Sequence, residues 1–269
     1  MLGANARMYS VTPASSAGWA AIFAWLADRT GIELDIIDHP PPAPLVKLWA
    51  RPGLGCVLMC GWPFAITETL PLLLAAPVPS PARYRGRPEY WSDLVVRADS
   101  RFARLEDTFG GTVGWTVADS HSGFNMLRHH LLQYRQRNDR RLFARSVGGL
   151  VNPLGALTAV AEGRVDIAPI DSICHDLFRS AGHPVTRQVR ILDRTASSPI
   201  PVLVASPDVD EAQARILSEA LINAHHDPIL TPHFAATQIT HFVRPAIEDY
   251  ARGKMLDDAA RNAGYPVPA

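Results

Sequence analysis

The sequence predicts a two-lobed α/β protein. Three observations predict it. Strand and helix patterns alternate along the chain, the alternation restarts at Ser92 with a strand returning at Ile200, and 269 residues suffice for two modest domains. The expected lobes are discontinuous, with residues 1–92 and 203–269 in one and 93–202 in the other.

In chain order, Ala6–Val11 reads as a short strand and Ser15–Arg29 as the first helix, which ends at Gly31. Glu33–Asp38 reads as a strand, and the prolines at 40, 41, 42 and 44 as a stiff connector. Leu45–Ala50 reads as a short helix, Gly55–Cys60 as a buried strand, and Leu72–Pro77 as a further apolar run. A proline- and arginine-rich loop carries the chain to Pro88.

The second series has strands at Ser92–Ala98, Gly111–Val117, Leu142–Val147, Val165–Ile170 and Arg187–Leu192. Its helices are Gly123–Arg135, a helix started by Asn152-Pro153 and stopped at Gly163, and Ser172–Ala181. Ile200–Ala205 reads as a strand, Asp210–Ala224 as an amphipathic helix, and Thr231–Gly264 as helical. Such alternation predicts parallel sheets, with ligands beyond the carboxyl ends of the strands.

Composition narrows the function. The 26 basic and 26 acidic residues balance, so no basic face for nucleic acid is expected, and attraction for an anion must be local. No apolar stretch approaches the roughly 20 residues of a membrane span. The run Ala17–Ala27 reads as the first helix rather than a secretory leader. Two localisations stay open: cytoplasmic if the chain is complete as given, periplasmic if a leader has been removed. If Cys56 and Cys60 share one strand they lie about 13 Å apart, beyond the roughly 7 Å a disulfide spans. The adjacent pairs His129–His130 and His225–His226 diverge by about 100° on a helix, so no metal site is expected. No phosphate loop, nucleophile elbow, dinucleotide fingerprint or zinc-protease motif is present, and neither a cofactor nor a catalytic residue is expected.

The segment Ser120-His121-Ser122-Gly123 joins a strand to a helix. Small residues there let backbone N–H groups approach an anion, and the serine hydroxyls add donors. Helix capping by Asp119 or Ser120 is the alternative. Asp171 follows a strand and reads either as a cleft carboxylate or as the N-cap of the next helix. Tyr9, Cys60 and Trp62 stand at strand ends, where aromatic side chains wall small-molecule pockets; packing for Trp62 and an inert buried thiol for Cys60 are the alternatives. Tyr90 and Ser92 stand where the two series meet, as hinge and pocket wall together.

Several motifs occur in a telling order. They are Leu58-Met-Cys-Gly-Trp-Pro63, Tyr90-Trp-Ser-Asp-Leu-Val-Val-Arg-Ala-Asp-Ser100, Leu105-Glu-Asp with Gly110, and Asp119-Ser-His-Ser-Gly123. Then come Leu157-Thr-Ala-Val-Ala-Glu-Gly-Arg-Val-Asp-Ile-Ala-Pro-Ile-Asp171, Arg194-Thr195 and Ser198-Pro-Ile-Pro201. Over most of its length the chain resembles the phosphate/phosphonate substrate-binding proteins of ABC transporters. The resemblance implies a type II periplasmic-binding-protein fold: two Rossmann-like lobes, a two-strand hinge near Ser92–Val96 and Thr195–Val202, and a ligand cleft between them. It implies an oxyanion at the Ser120–Gly123 helix start and Asp171 lining the cleft. Ser146–Pro153 lacks the His and Ser that many relatives place there, which leaves phosphonate, phosphate ester and carboxylate all open as ligands.

The expected function is capture of a small anionic ligand for an ABC permease, by a chain that is a monomer or weak dimer and does not span a membrane. Two alternatives stand beside it: a cytoplasmic enzyme acting on a chorismate-like carboxylic acid, and a ligand sensor.

Overall fold

The computed structural model describes residues 1–138 and 141–269, and side chains outside 136–138. The chain divides into two units, Met1–Glu89 with Pro199–Ala251, and Tyr90–Ser198 with Arg252–Ala269. It therefore passes between units three times, at 89/90, 198/199 and 251/252. The short strands Glu89–Tyr90 and Ser198–Pro199 form a two-stranded sheet. The expected hinge strand Ser92–Val96 belongs wholly to the second unit, and the first passage falls just upstream of it.

The first unit is built on a six-stranded sheet in the order Ile239–Val243, Leu72–Pro79, Val202–Ala205, Leu54–Met59, Leu2–Asn5, Leu34–Ile36. Leu2–Asn5 runs parallel to both of its neighbours, whereas Val202–Ala205 is antiparallel to the strands on either side. The sheet is mixed, not purely parallel as expected, because the strand that re-enters the unit runs against its neighbours. Every residue of Leu54–Met59 is buried, as its unbroken apolar run requires of a central strand. The helix Pro13–Thr30 opens on a capping box, Thr12 accepting from Ser15 N–H, and ends at Gly31 with φ 68°. It packs on Thr231–Thr237 through Gly18, where a Cβ would come within 2.9 Å of Thr237 Cγ2.

Two expectations fail here. The strand expected at Ala6–Val11 is Leu2–Asn5; past it, the Ala6 carbonyl accepts both Tyr9 N–H and Ser10 N–H at 2.9 Å and turns the chain. The segment expected to be helical from Thr231 to Gly264 breaks at Gln238, with φ 54°. It then supplies the edge strand Ile239–Val243 before the helix Ile247–Asn262.

The second unit holds an antiparallel three-stranded sheet, with Ser92–Arg97 between Val189–Arg194 and Ala168–Asp171. A parallel bridge from Val113 to Ile167 extends it toward the parallel pair Thr112–Gly114 and Arg145–Val147. The helix Pro153–Ala161 starts as expected, with the Asn152 side chain accepting from Gly155 N–H. The core includes Leu94, Val96, Leu127, Leu131, Phe143 and Ile167, together with Ala260 and Tyr265 from the end of the chain.

Residues 252–269, expected with the first unit, thus pack in the second. The reason is electrostatic as well as apolar. Arg128, 1% exposed, is hydrogen-bonded to Asp257, to Asn125 Oδ1 at 3.0 Å and to the Pro266 carbonyl at 3.0 Å. Removing one partner of a buried ion pair costs about 3–5 kcal/mol. Asp257→Ala is therefore expected to lower stability by about that amount, seen as a lower urea midpoint. A loss near that of an exposed pair, below about 1 kcal/mol, would show that the terminal segment is only loosely attached.

Candidate functional site

In the first unit, Tyr9 and Cys60 both follow the carboxyl ends of adjacent parallel strands, Leu2–Asn5 and Leu54–Met59. Tyr9 is 2% exposed, Cys60 5% and Trp62 4%, so all three belong to the packed end of the sheet. Cys60 precedes the short helix Gly61–Ile66, which carries Trp62. Gly61 lets that helix approach Tyr250, whose ring carbon would be 3.1 Å from a Cβ. The Tyr250 hydroxyl donates to the Ile200 carbonyl. All three cysteines are buried and reduced, and burial pushes the Cys56 thiol far above its usual range.

In the second unit the structure brings Tyr90, Ser92, Ser120, His121, Ser122, Gly123 and Asp171 into one polar cluster. The chain enters its helix through a wide turn at His121–Asn125, continuing as Met126–Asn138. Ser120 is the N-cap: its Oγ accepts from Gly123 N–H at 2.9 Å. Position 123 admits only glycine, because a Cβ would fall 1.9 Å from Thr116 Oγ1. Ser122 Oγ donates to Asp171 Oδ2 at 3.3 Å, and Ser92 Oγ donates to the Ser122 carbonyl at 2.7 Å. The Tyr90 and His121 rings lie 6.3 Å apart. The N–H groups of His121 and Ser122, among the first of the helix, have no acceptor among the described residues.

Asp171 is the N-cap of Ser172–Ser180, its Oδ1 accepting from Ile173 and Cys174 N–H. Both alternatives therefore describe it: it caps one helix and touches the start of another. Burial pushes it up to about 7, against the pull of those N–H groups and the Ser122 hydroxyl, with Asp93 adding to the rise. Burial also draws His121 down to about 3, helped by the charge of Arg252.

Sequence reading missed three groups. Asp93, fully buried, meets His175 Nδ1 at 2.8 Å and accepts from Trp91 Nε1 at 3.0 Å. Ser198 Oγ lies 3.0 Å from His121 Nε2. Thr195 Oγ1 accepts from Ser92 N–H. Only the strand alternation at Asp93, a polar residue at an inward position, was a local signal for any of them.

A family profile described as ABC transporter, phosphonate, periplasmic substrate-binding protein matches residues 9–250. No curated protein sequence matches. Among solved structures, a binding protein component of an ABC phosphonate transporter from Pseudomonas aeruginosa superposes with a TM-score of 0.82 at 17% identity, over 98% of this chain and 87% of that one. PhnD1 from Prochlorococcus marinus, in complex with methylphosphonate, gives 0.78 at 12% identity, covering 97% and 98%. XAC2383 from Xanthomonas citri, bound to ATP, gives 0.69 at 18% identity, covering 98% of each. At such identities the likenesses show the fold: the type II periplasmic-binding-protein class of ligand-binding proteins. Within that class, the chain belongs to the phosphonate family of ABC transporter substrate-binding proteins.

The two displaced pKa values predict a hidden pH dependence. From about 3.8 to about 7 folded Asp171 keeps a proton that the unfolded chain has released, so its contribution to stability falls as pH rises. From about 3 to about 6.5 the unfolded chain protonates an imidazole that folded His121 keeps neutral, so that contribution rises with pH. The two oppose each other in the wild type. In Asp171→Asn the falling part is gone, and urea-unfolding stability should climb more steeply with pH between about 3.8 and about 6.5. Parallel wild-type and mutant curves would show that Asp171 ionises normally.

Proposed function

We propose that this substrate-binding protein takes up a small oxyanion, a phosphonate, phosphate ester or carboxylate, at the start of the His121–Asn138 helix, and delivers it to an ABC permease. The observation that carries this reading is the helix start itself. Two leading N–H groups lack acceptors, and Ser120 and Ser122 flank them. A helix N-terminus favours a negative group by about 0.3–1 kcal/mol, and by up to about 2 when partly buried. Hydrogen bonds to a charged group add about 1.5–3 kcal/mol each.

The capping role of Ser120 is compatible with binding. Its oxygen accepts from Gly123 N–H, while its own proton stays available to a ligand oxygen. The methylphosphonate complex of PhnD1 supports an oxyanion of this kind for a chain of the same fold. Within the second unit, Tyr90, Ser92 and Asp171 complete the proposed ligand-contacting set.

Thermal-shift and calorimetric titration with methylphosphonate, inorganic phosphate, glycerol 3-phosphate and succinate tests this. At a hundredfold its dissociation constant, a true ligand adds about 2.7 kcal/mol of stability. Ser122→Ala should weaken that ligand about tenfold or more, a loss of at least about 1.4 kcal/mol, read by calorimetry on protein whose cooperative unfolding shows it to be folded. Undiminished affinity would make the serine a packing residue only. If no compound in the panel binds the wild type, the oxyanion reading falls.

A further inference from the structure

We infer that Ser198 is an additional ligand-contacting donor, and that a relay of side chains anchored on the C-terminal helix fixes its polarity. The relay runs Asp257, Arg128, Asn125, His121, Ser198, and every link follows from hydrogen-bond chemistry.

Arg128 carries only donors, so the Asn125 atom that meets its Nη2 at 3.0 Å must be the amide oxygen. The amide nitrogen of Asn125 then faces the other way. It donates to the Gly253 carbonyl at 2.9 Å and reaches His121 Nδ1 at 3.3 Å. An N–H pointing at Nδ1 requires that nitrogen to accept. His121 is therefore the neutral tautomer with its proton on Nε2, in keeping with the burial that holds it uncharged. Nε2–H in turn donates to Ser198 Oγ at 3.0 Å.

Ser198 is thus fixed as the acceptor of His121, and the proton of its own hydroxyl remains to be placed. Ser198 is 2% exposed, and no described residue accepts that proton. A buried O–H without an acceptor is costly. A ligand oxygen beside the His121 ring would supply one, and the hydroxyl then favours an acceptor oxygen over an ammonium or amide donor. Ser198 would be a specificity-determining residue, with His121, Asn125, Arg128 and Asp257 as positioning residues.

This rests on the oxyanion reading of the helix start, and the test separates the two. The ¹⁵N spectrum of the His121 imidazole in ligand-free protein reports its tautomer directly and is expected to show Nε2–H. In Asn125→Asp the carboxylate accepts at Nδ1, which moves the proton to that nitrogen and makes Nε2 an acceptor. Nε2 then takes the Ser198 proton away from the ligand. Methylphosphonate and inorganic phosphate are titrated calorimetrically into wild type, Ser198→Ala, Asn125→Asp and the double variant. Each single variant should bind about tenfold or more weakly, and the double variant no more weakly than the worse single one, because both remove the same bond.

An Nδ1–H tautomer or an imidazolium in the wild type would overturn the inference, as would wild-type affinity in Ser198→Ala. Simple additivity of the two losses would also overturn it, by showing that Asn125 acts by another route. If Asn125→Asp does not fold, the wild-type spectrum and Ser198→Ala still decide. If the wild type binds neither anion, glycerol 3-phosphate and succinate replace them in the same titrations; failure of all four removes the oxyanion reading, and the ligand role of Ser198 with it.

Discussion

The second unit is organised around the burial of one guanidinium. Moving Arg128 out of water costs several kcal/mol even after relaxation, whereas a typical hydrogen bond returns about 1 kcal/mol. The charge is tolerable only with a counter-ion and further acceptors beside it. Asp257 supplies the charge, Asn125 and Pro266 supply oxygens, and the Phe124 ring lies 4.9 Å from the guanidinium carbon. Three of these partners fix other things as well. Asp257 and Pro266 bring the end of the chain into the unit, and Asn125 stands in the wide turn that begins the helix Met126–Asn138. A constraint on core electrostatics therefore sets the geometry of the helix start.

The same logic explains why the polar cluster is so densely bonded. Ser92, Ser122, Asp171, Asp93 and His175 are all nearly inaccessible to water. Each polar atom there needs a partner, because low local polarity makes an unmet group expensive. Ser92 ties the central strand to the helix start, and Asp93, one residue on, points to the other face and pairs with His175. One strand thus fixes both sides of the site. Two acids, Asp93 and Asp171, share this interior; burial first, and the charge of Asp93 last, push Asp171 up to about 7.

What the sequence made legible was local. Asn152-Pro153 announced a helix because cap and first turn are adjacent residues, and Leu54–Met59 announced a buried strand because its apolar run is unbroken. Ser120–Gly123 and Asp171 stood out by the same local signals. The strand Leu2–Asn5 was missed because four residues, one of them a polar Asn, carry little pattern, and its partners begin about thirty and fifty residues later. The edge strand Ile239–Val243 was missed because helices flank it on both sides, and only the left-handed turn at Gln238 separates it from the first. Periodicity marks a helix but not the unit it joins, so the terminal segment was misplaced. Its assignment depends on a pair 129 residues apart in sequence. His121 with Ser198, and Asp93 with His175, are likewise 77 and 82 residues apart.

The choice between helix cap and binding residue, which sequence reading left open at Ser120 and Asp171, dissolves when donors and acceptors are counted. Capping uses a lone pair. A hydroxyl that caps still owns a proton and can face an anion. An ionised carboxylate that caps owns none and repels one. Ser120 can therefore do both tasks at any pH, whereas Asp171 can do both only while protonated. Burial raises Asp171 to about 7 and so supplies that protonated form near neutrality. Ser122 connects the two: its hydroxyl donates to Asp171 Oδ2 and so joins the start of one helix to the cap of the next.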